Sequence, residues 1–220
     1  MNLPNLLTLL RIFFVPLLVA VLMQGRIRVE VHGFVITHEL LALGIFLAAA
    51  ATDLLDGYLA RRWGQVTTVG MLLDPIADKL LVSAALIALV EIGLVPAWMV
   101  ILIVGREFAV SGLRGIAAAE GYTIKASDLA KTKMLSQVVA ISLLLLSIHW
   151  KNLTGVAMFW LWGVVVFSVL SAIGYFRKFW RKVDDRTKLR RRRELLLLER
   201  RERRQRRREA AVQKIADRGV

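Results

Sequence analysis

Cysteine is absent from all 220 residues. That excludes disulfides, thiolate metal sites and thiol nucleophiles, and it leaves the redox compartment unread. Polar surface is scarce as well. With 57% hydrophobic residues and a mean hydropathy of +0.58, the chain has too few polar side chains to coat a water-soluble globule of this length. The formal charge is nevertheless +14, so apolar excess and charge excess must be segregated along the chain. Residues 1–176 hold 12 Lys+Arg and 10 Asp+Glu, a net of +2, whereas residues 177–220 hold 19 and 7, a net of +12. The division reads as a transmembrane domain over 1–176 followed by a basic, charged helical tail over 177–220. No internal repeat is present.

Crossing about 30 Å of hydrocarbon takes roughly 20 helical residues. Apolar stretches near that length fall at 6–23, 40–60, 69–90, 95–117, 133–149 and 156–176. The expected fold is therefore all-α, a polytopic membrane protein with six transmembrane helices. The first is not expected to be a cleaved signal peptide, because Arg11 lies within it, Pro16 follows, and no small-residue cleavage site comes after it. Basic residues favour cytoplasmic termini. Arg61, Arg62, Lys125, Lys131, Lys133 and the tail fall on one side, against only Arg26, Arg28 and Lys151 on the other. The expected location is the cell inner (cytoplasmic) membrane. Leu94, Val95 and Pro96 mark a tight turn between the third and fourth spans, and Gly121 marks another.

Four carboxylates stand out against this apolar background. Asp53 and Asp56 lie near the end of the second apolar run, and Asp74 and Asp78 near the start of the third. Ionisable groups at such depth are costly and line an aqueous cavity or a site. At helical spacing Asp53, Asp56, Gly57, Ala60 and Arg61 occupy one contiguous face, as do Gly70, Asp74 and Asp78 on the next helix. A short connection makes these helices antiparallel neighbours, so the two pairs converge at the cytoplasmic end of the bundle. Four facing carboxylates need countercharge. Oxygen ligands without cysteine or a nearby histidine favour Mg²⁺ or Mn²⁺, and two such ions can clamp a phosphoryl group during its transfer. Gly57, Ala60 and Gly70 are small enough for a nucleotide to approach the backbone, although small residues also bring membrane helices together. Asp74 precedes Pro75 and would also serve as an N-cap.

Read in full, Asp53-x2-Asp56-Gly57-x2-Ala60-Arg61-x8-Gly70-x3-Asp74-x3-Asp78 resembles the signature of the CDP-alcohol phosphotransferases. The resemblance implies a six-helix membrane enzyme, usually dimeric, that passes a phosphatidyl or phospho-alcohol group from a CDP-linked donor to a hydroxyl and releases CMP. It further implies that Asp53, Asp56 and Asp74 ligate metals and that Asp78 touches the second metal and serves as general base. Gly57, Arg61 and Thr67 would contact the CDP moiety, beside Ala60 and Gly70.

The acceptor is read from the fourth span and the loop after it, where Arg106, Arg114, Lys125, Lys131 and Lys133 gather. Buried arginine needs an anionic partner. One reading pairs Glu107 with an arginine; the other is a pocket for a phosphate on the acceptor, to which arginine offers paired donors and lysine a point charge. The segments 2–11, Gly105-Arg106-Glu107, Ser111-Gly112-Leu113-Arg114, Lys125-Ala126-Ser127 and Lys131-Thr132-Lys133 with Gln137 are similar to the bacterial phosphatidylglycerophosphate synthases of that family. That similarity implies CDP-diacylglycerol and sn-glycerol 3-phosphate as substrates. Inositol phosphate, or a cardiolipin-type reaction, is the alternative within the family, and a divalent-cation channel or transporter the alternative outside it. A channel predicts charges spread along a pore, whereas the aspartates cluster at one end.

Asn5, Thr8 and Arg11 recur at i, i+3 and i+6, placed either to reach the nucleotide or the lipid phosphates or to cap and anchor the first helix at the interface. His32, His38 and His149 lie in outer segments away from the aspartates and receive no catalytic role. Tryptophans lie near span ends, as interfacial aromatics do. Glu199 with Arg203 and Glu202 with Arg206 support a tail helix. The tail fits a solvated orientation signal or attachment to anionic lipid; nucleic acid as a partner would rest on the tail alone.

Overall fold

The structure is a computed structural model. It describes the backbone of residues 3–25, 28–31, 34–63, 68–121 and 129–216; the side chains of 3–5, 29–31, 34–36, 54–63, 68–72, 74–75, 129–132 and most residues after 184 lie outside the description. Six α-helices account for most of it: α1 (Leu3–Gln24), α2 (His38–Trp63), α3 (Thr68–Glu91), α4 (Ala97–Ala119), α5 (Leu129–His149) and α6 (Thr154–Ala216). Each apolar stretch of the sequence falls on one of them, the fourth starting two residues ahead of α4. The helical reading did not include a short hairpin between α1 and α2, in which β1 (Arg28–Val31) pairs antiparallel with β2 (Phe34–Thr37), Arg28 opposite Thr37 and Val31 opposite Phe34. Six of its eight residues, Val29, Val31, Phe34, Val35, Ile36 and Thr37, are Val, Ile, Phe or Thr, and such side chains suit a pleated ribbon better than a helix.

Apolar residues on every helix supply the core. Leu18 and Leu22 of α1, Phe46 of α2, Leu86 and Leu89 of α3, Met99 and Ile103 of α4, Ile141 and Leu145 of α5, and Leu161 of α6 form one buried cluster. α1 packs on α2 and α3, and α2 on α5. The outward faces are apolar too, with Phe13, Ile87, Ile101, Phe108, Leu135 and Phe159 all exposed. A water-soluble protein does not show so much exposed apolar surface, and a lipid environment accommodates it. Among the described residues, Leu6–Gln24 and Lys151–Asp184 are long and apolar enough to cross a membrane, and Lys133–His149 is a shorter apolar helix.

The turn between α3 and α4 has a specific chemistry. Gly93 adopts φ +74°, its N–H bonds the Val90 carbonyl at 2.9 Å, and the Leu94 N–H bonds the Leu89 carbonyl at 3.0 Å. This is a Schellman closure, which satisfies the last carbonyls of α3 and needs a left-handed residue that glycine supplies without strain. α4 then begins directly after Pro96. At the opposite end of α4, Gly121 (φ +75°) closes the helix in the same left-handed region.

Contacts divide the chain into two compact units, Met1–Ile173 and Gly174–Val220. The first holds α1 to α5 and the apolar part of α6. In the second, α6 continues as helix to Ala216 through the basic sequence.

Candidate active site

Asp53 on α2 and Asp78 on α3 face a common space beside α1. Arg11 of α1 is fully buried, and its Nη1 lies 2.6 Å from Asp53 Oδ1, a carboxylate that retains 22% exposure. A guanidinium cannot shed its charge, so at this depth it must hold a carboxylate, and the pairing sets the orientation of Asp53. Thr8, one turn before Arg11, is buried alongside it. Asp53, Arg11, Lys79 and Lys133 are the charged groups within electrostatic reach of Asp78. Two carboxylates are thereby brought together from two helices, as their spacing required. The backbone of Asp56, Gly57, Ala60 and Arg61 belongs to α2 and that of Gly70 and Asp74 to α3, but their side chains lie outside the described residues. Thr67 and Lys125 lie outside them altogether, as does the side chain of Lys131.

A second cluster sits on α4 and α5. Lys133, 5% exposed at the start of α5, places its ammonium on Glu107 Oε1. Arg106 donates from Nη1 to the same oxygen at 3.0 Å and from Nη2 to Ser171 Oγ of α6. Gln137 Nε2 approaches that oxygen at 3.4 Å. The Glu107 carboxylate thus gathers two cations and an amide. The pairing of Glu107 with Arg106, weighed against a phosphate-binding role, is present, and it extends to Lys133. Lys133 also lies within reach of Asp78, Lys79 and Arg106, and Lys79 within reach of Arg114. Anionic and cationic clusters are therefore one continuous site rather than two.

The donor set suits a hard divalent cation. Asp53 and Asp78 offer only oxygen and stand close enough to repel, and among the described residues the histidines are occupied elsewhere: His38 sits against Glu39 at 3.4 Å, and His149 packs edge-on to Trp150 with ring centroids 4.9 Å apart, both at the far ends of their helices. Among the described residues no three His, Asp or Glu side chains gather; Asp56 and Asp74, which would complete the set, are among the undescribed side chains.

The sequence places Arg11 as a contact for the nucleotide or lipid phosphates or as an anchor, without a carboxylate partner, and gives Lys79, Gln137 and Ser171 no site role. One signal could have found Arg11: a permanent cation in the middle of an otherwise uncharged helix requires a buried carboxylate opposite, and Asp53 belongs to the next helix in the chain.

The family model for CDP-alcohol phosphatidyltransferase matches residues 1–170. The chain belongs to the CDP-alcohol phosphatidyltransferase family. The match covers α1 to α5 and the apolar part of α6, and so contains both clusters. Relatives within this family include the CDP-diacylglycerol–glycerol-3-phosphate 3-phosphatidyltransferase of Bacillus subtilis (strain 168), 44% identical over 191 residues that cover 81% of this chain and 95% of the relative. The protein of the same name from Rickettsia bellii (strain RML369-C) is 36% identical over 179 residues, 80% of this chain and 94% of the relative. A probable phosphatidylglycerophosphate synthase of Mycobacterium tuberculosis (strain ATCC 25618 / H37Rv) is 41% identical over 145 residues, 66% of each chain.

Proposed function

We propose that this chain transfers a phosphatidyl group from CDP-diacylglycerol to sn-glycerol 3-phosphate, giving phosphatidylglycerophosphate and CMP. The observation that carries the reading is the 44% identity over 95% of a relative bearing that activity's name. In the reaction the acceptor hydroxyl oxygen attacks the phosphorus that bears the diacylglycerol, the bond from that phosphorus to the CMP oxygen breaks, and the hydroxyl proton passes to the Asp78 carboxylate. Divalent Mg²⁺ or Mn²⁺, two ions held by Asp53, Asp56, Asp74 and Asp78, would neutralise charge on the transferring phosphoryl oxygens and the departing CMP. Arg11 orients Asp53 for that task. Gly57, Ala60, Arg61, Thr67 and Gly70 would hold the CDP moiety. Lys133 and Arg106, with Arg114, Lys125 and Lys131, would receive the acceptor phosphate; the meeting of Lys133 and Arg106 at Glu107, within reach of Asp78, supports this.

All six helices cross the bilayer in this reading, with both termini and the site on the cytoplasmic face of the inner membrane, the working unit is a homodimer, and the tail from residue 177 rests on anionic lipid. The distribution of Lys and Arg supports the orientation. The test of the reaction is purified protein given CDP-diacylglycerol, Mg²⁺ and either glycerol 3-phosphate or inositol 1-phosphate. CMP release with glycerol 3-phosphate is expected; release with inositol 1-phosphate alone would overturn the acceptor.

A further inference from the structure

A groove of about 620 Å³ runs between α5 and the apolar part of α6. That volume falls within the roughly 300–1,000 Å³ of sites that take one ligand. Its walls are Phe159, Trp160, Trp162, Val166, Phe167 and Leu170 of α6, with Gly163 between them and Ser136 opposite on α5. Two contacts hold the shape: the Trp160 indole N–H bonds the Ser136 carbonyl at 3.2 Å, and Trp162 packs edge-on to Trp98 of α4, ring centroids 5.3 Å apart. Phe159 is 78% exposed and Leu170 63%, so the groove opens sideways to its surroundings. Among the described lining residues Lys133 alone carries a charge, and its ammonium lies within electrostatic reach of Asp78. The trough is therefore apolar along its length and cationic where it meets the reaction site.

We infer that this groove holds an acyl chain of the lipid-linked donor, with the glycerol end of that chain toward Lys133 and the reaction site. The inference rests on the donor being a diacylglycerol nucleotide. A soluble ligand would find almost no polar partner along these walls, whereas a hydrocarbon chain needs none. The end that adjoins Lys133 and Asp78 is the reaction end, and this fixes the direction in which the chain lies. Each methylene transferred into the groove strengthens binding about fourfold, so chain length becomes a measurable variable.

Gly163 supplies the probe. A Cβ built at this glycine meets nothing within 4 Å, so Gly163→Phe fills the groove without displacing backbone. CMP release is measured at saturating glycerol 3-phosphate with a dioleoyl and a dihexanoyl CDP-diacylglycerol, for wild type and variant. The expected result is a KM for the dioleoyl donor raised at least about tenfold, the equivalent of losing two buried methylenes, with the dihexanoyl and acceptor KM values within about twofold of wild type. Equal changes for both donors, or no change for either, would overturn the inference, as would a shift in oligomeric state without a chain-length effect, which would make a second copy of the chain the occupant. Val166→Phe, on the same wall, is read identically should Gly163→Phe fail to accumulate. Wild type that releases no CMP from either donor would defeat the activity reading instead. The groove is then judged by native mass spectrometry of dioleoyl CDP-diacylglycerol retained by the two proteins, where equal retention counts against it.

Discussion

Asp78 has Asp53 and three cations, Arg11, Lys79 and Lys133, within electrostatic reach, an arrangement in which an accepted proton is exchanged within a dense field rather than with bulk water. Asp78→Asn keeps the shape and removes the base. Turnover should fall by about 10²–10⁴ while CDP-diacylglycerol binding partly survives, as read by CMP release and by equilibrium binding; full activity would remove Asp78 from this role. Arg11 supports a different prediction. Its replacement by Met leaves Asp53 without its buried partner, and the cost should be about 2 kcal/mol, below the roughly 3–5 of a fully buried pair because Asp53 keeps some solvent. Thermal unfolding in detergent checks this, and Arg11→Lys should recover only part of the loss, since an ammonium lacks the planar fork. At this scale the sequence singled out Asp53 and Asp78, which the structure brings within electrostatic reach of one another. It was silent on Arg11 with Asp53, because helical spacing places residues on a face of α1 without saying which neighbour that face meets.

Helix ends are where the elements are decided. Gly93 closes α3 in the left-handed region, where a side chain costs roughly 1–2 kcal/mol. Gly93→Ala should therefore lower unfolding stability by about 1 kcal/mol with CMP release per folded molecule unchanged; a Cβ there meets nothing within 4 Å, so backbone strain is the only source of the loss. The six helices were readable in advance because continuous apolar runs leave few alternatives in a lipid solvent. The hairpin of β1 and β2 was not, because eight paired residues between two long apolar runs carry a weak period-two signal, and Arg28 and Glu30 within it read as an ordinary polar loop. The node at Glu107 was half readable: an adjacent arginine and glutamate announced a pair, but only packing could bring Lys133 and Gln137 of α5 to the same oxygen.

For the whole molecule, the want of cysteine becomes an instrument. Ile92→Cys and Ala118→Cys introduce single thiols at exposed positions on opposite ends of α3 and α4. Under the proposed orientation an impermeant maleimide should label the first in intact cells and the second only after lysis; the reverse pattern would invert the topology. Removing residues 182–220 should leave turnover in detergent within about twofold of the full chain and weaken retention on anionic vesicles, since each basic residue near such a surface contributes about 1 kcal/mol. Retention unchanged by the deletion would leave orientation as the tail's role.

Glu107 Oε1 joins α4 to α5 through Lys133 and Gln137, and Arg106 extends the joint to Ser171 of α6. No one of these helices can slide past the others without parting charge-assisted bonds that are largely shielded from solvent. The flank of α6 that carries the groove is open to the side as it stands. Under the proposed reading, lipid would exchange laterally through this flank while the Glu107 node keeps its alignment, so that successive turnovers would begin from an already assembled half-site.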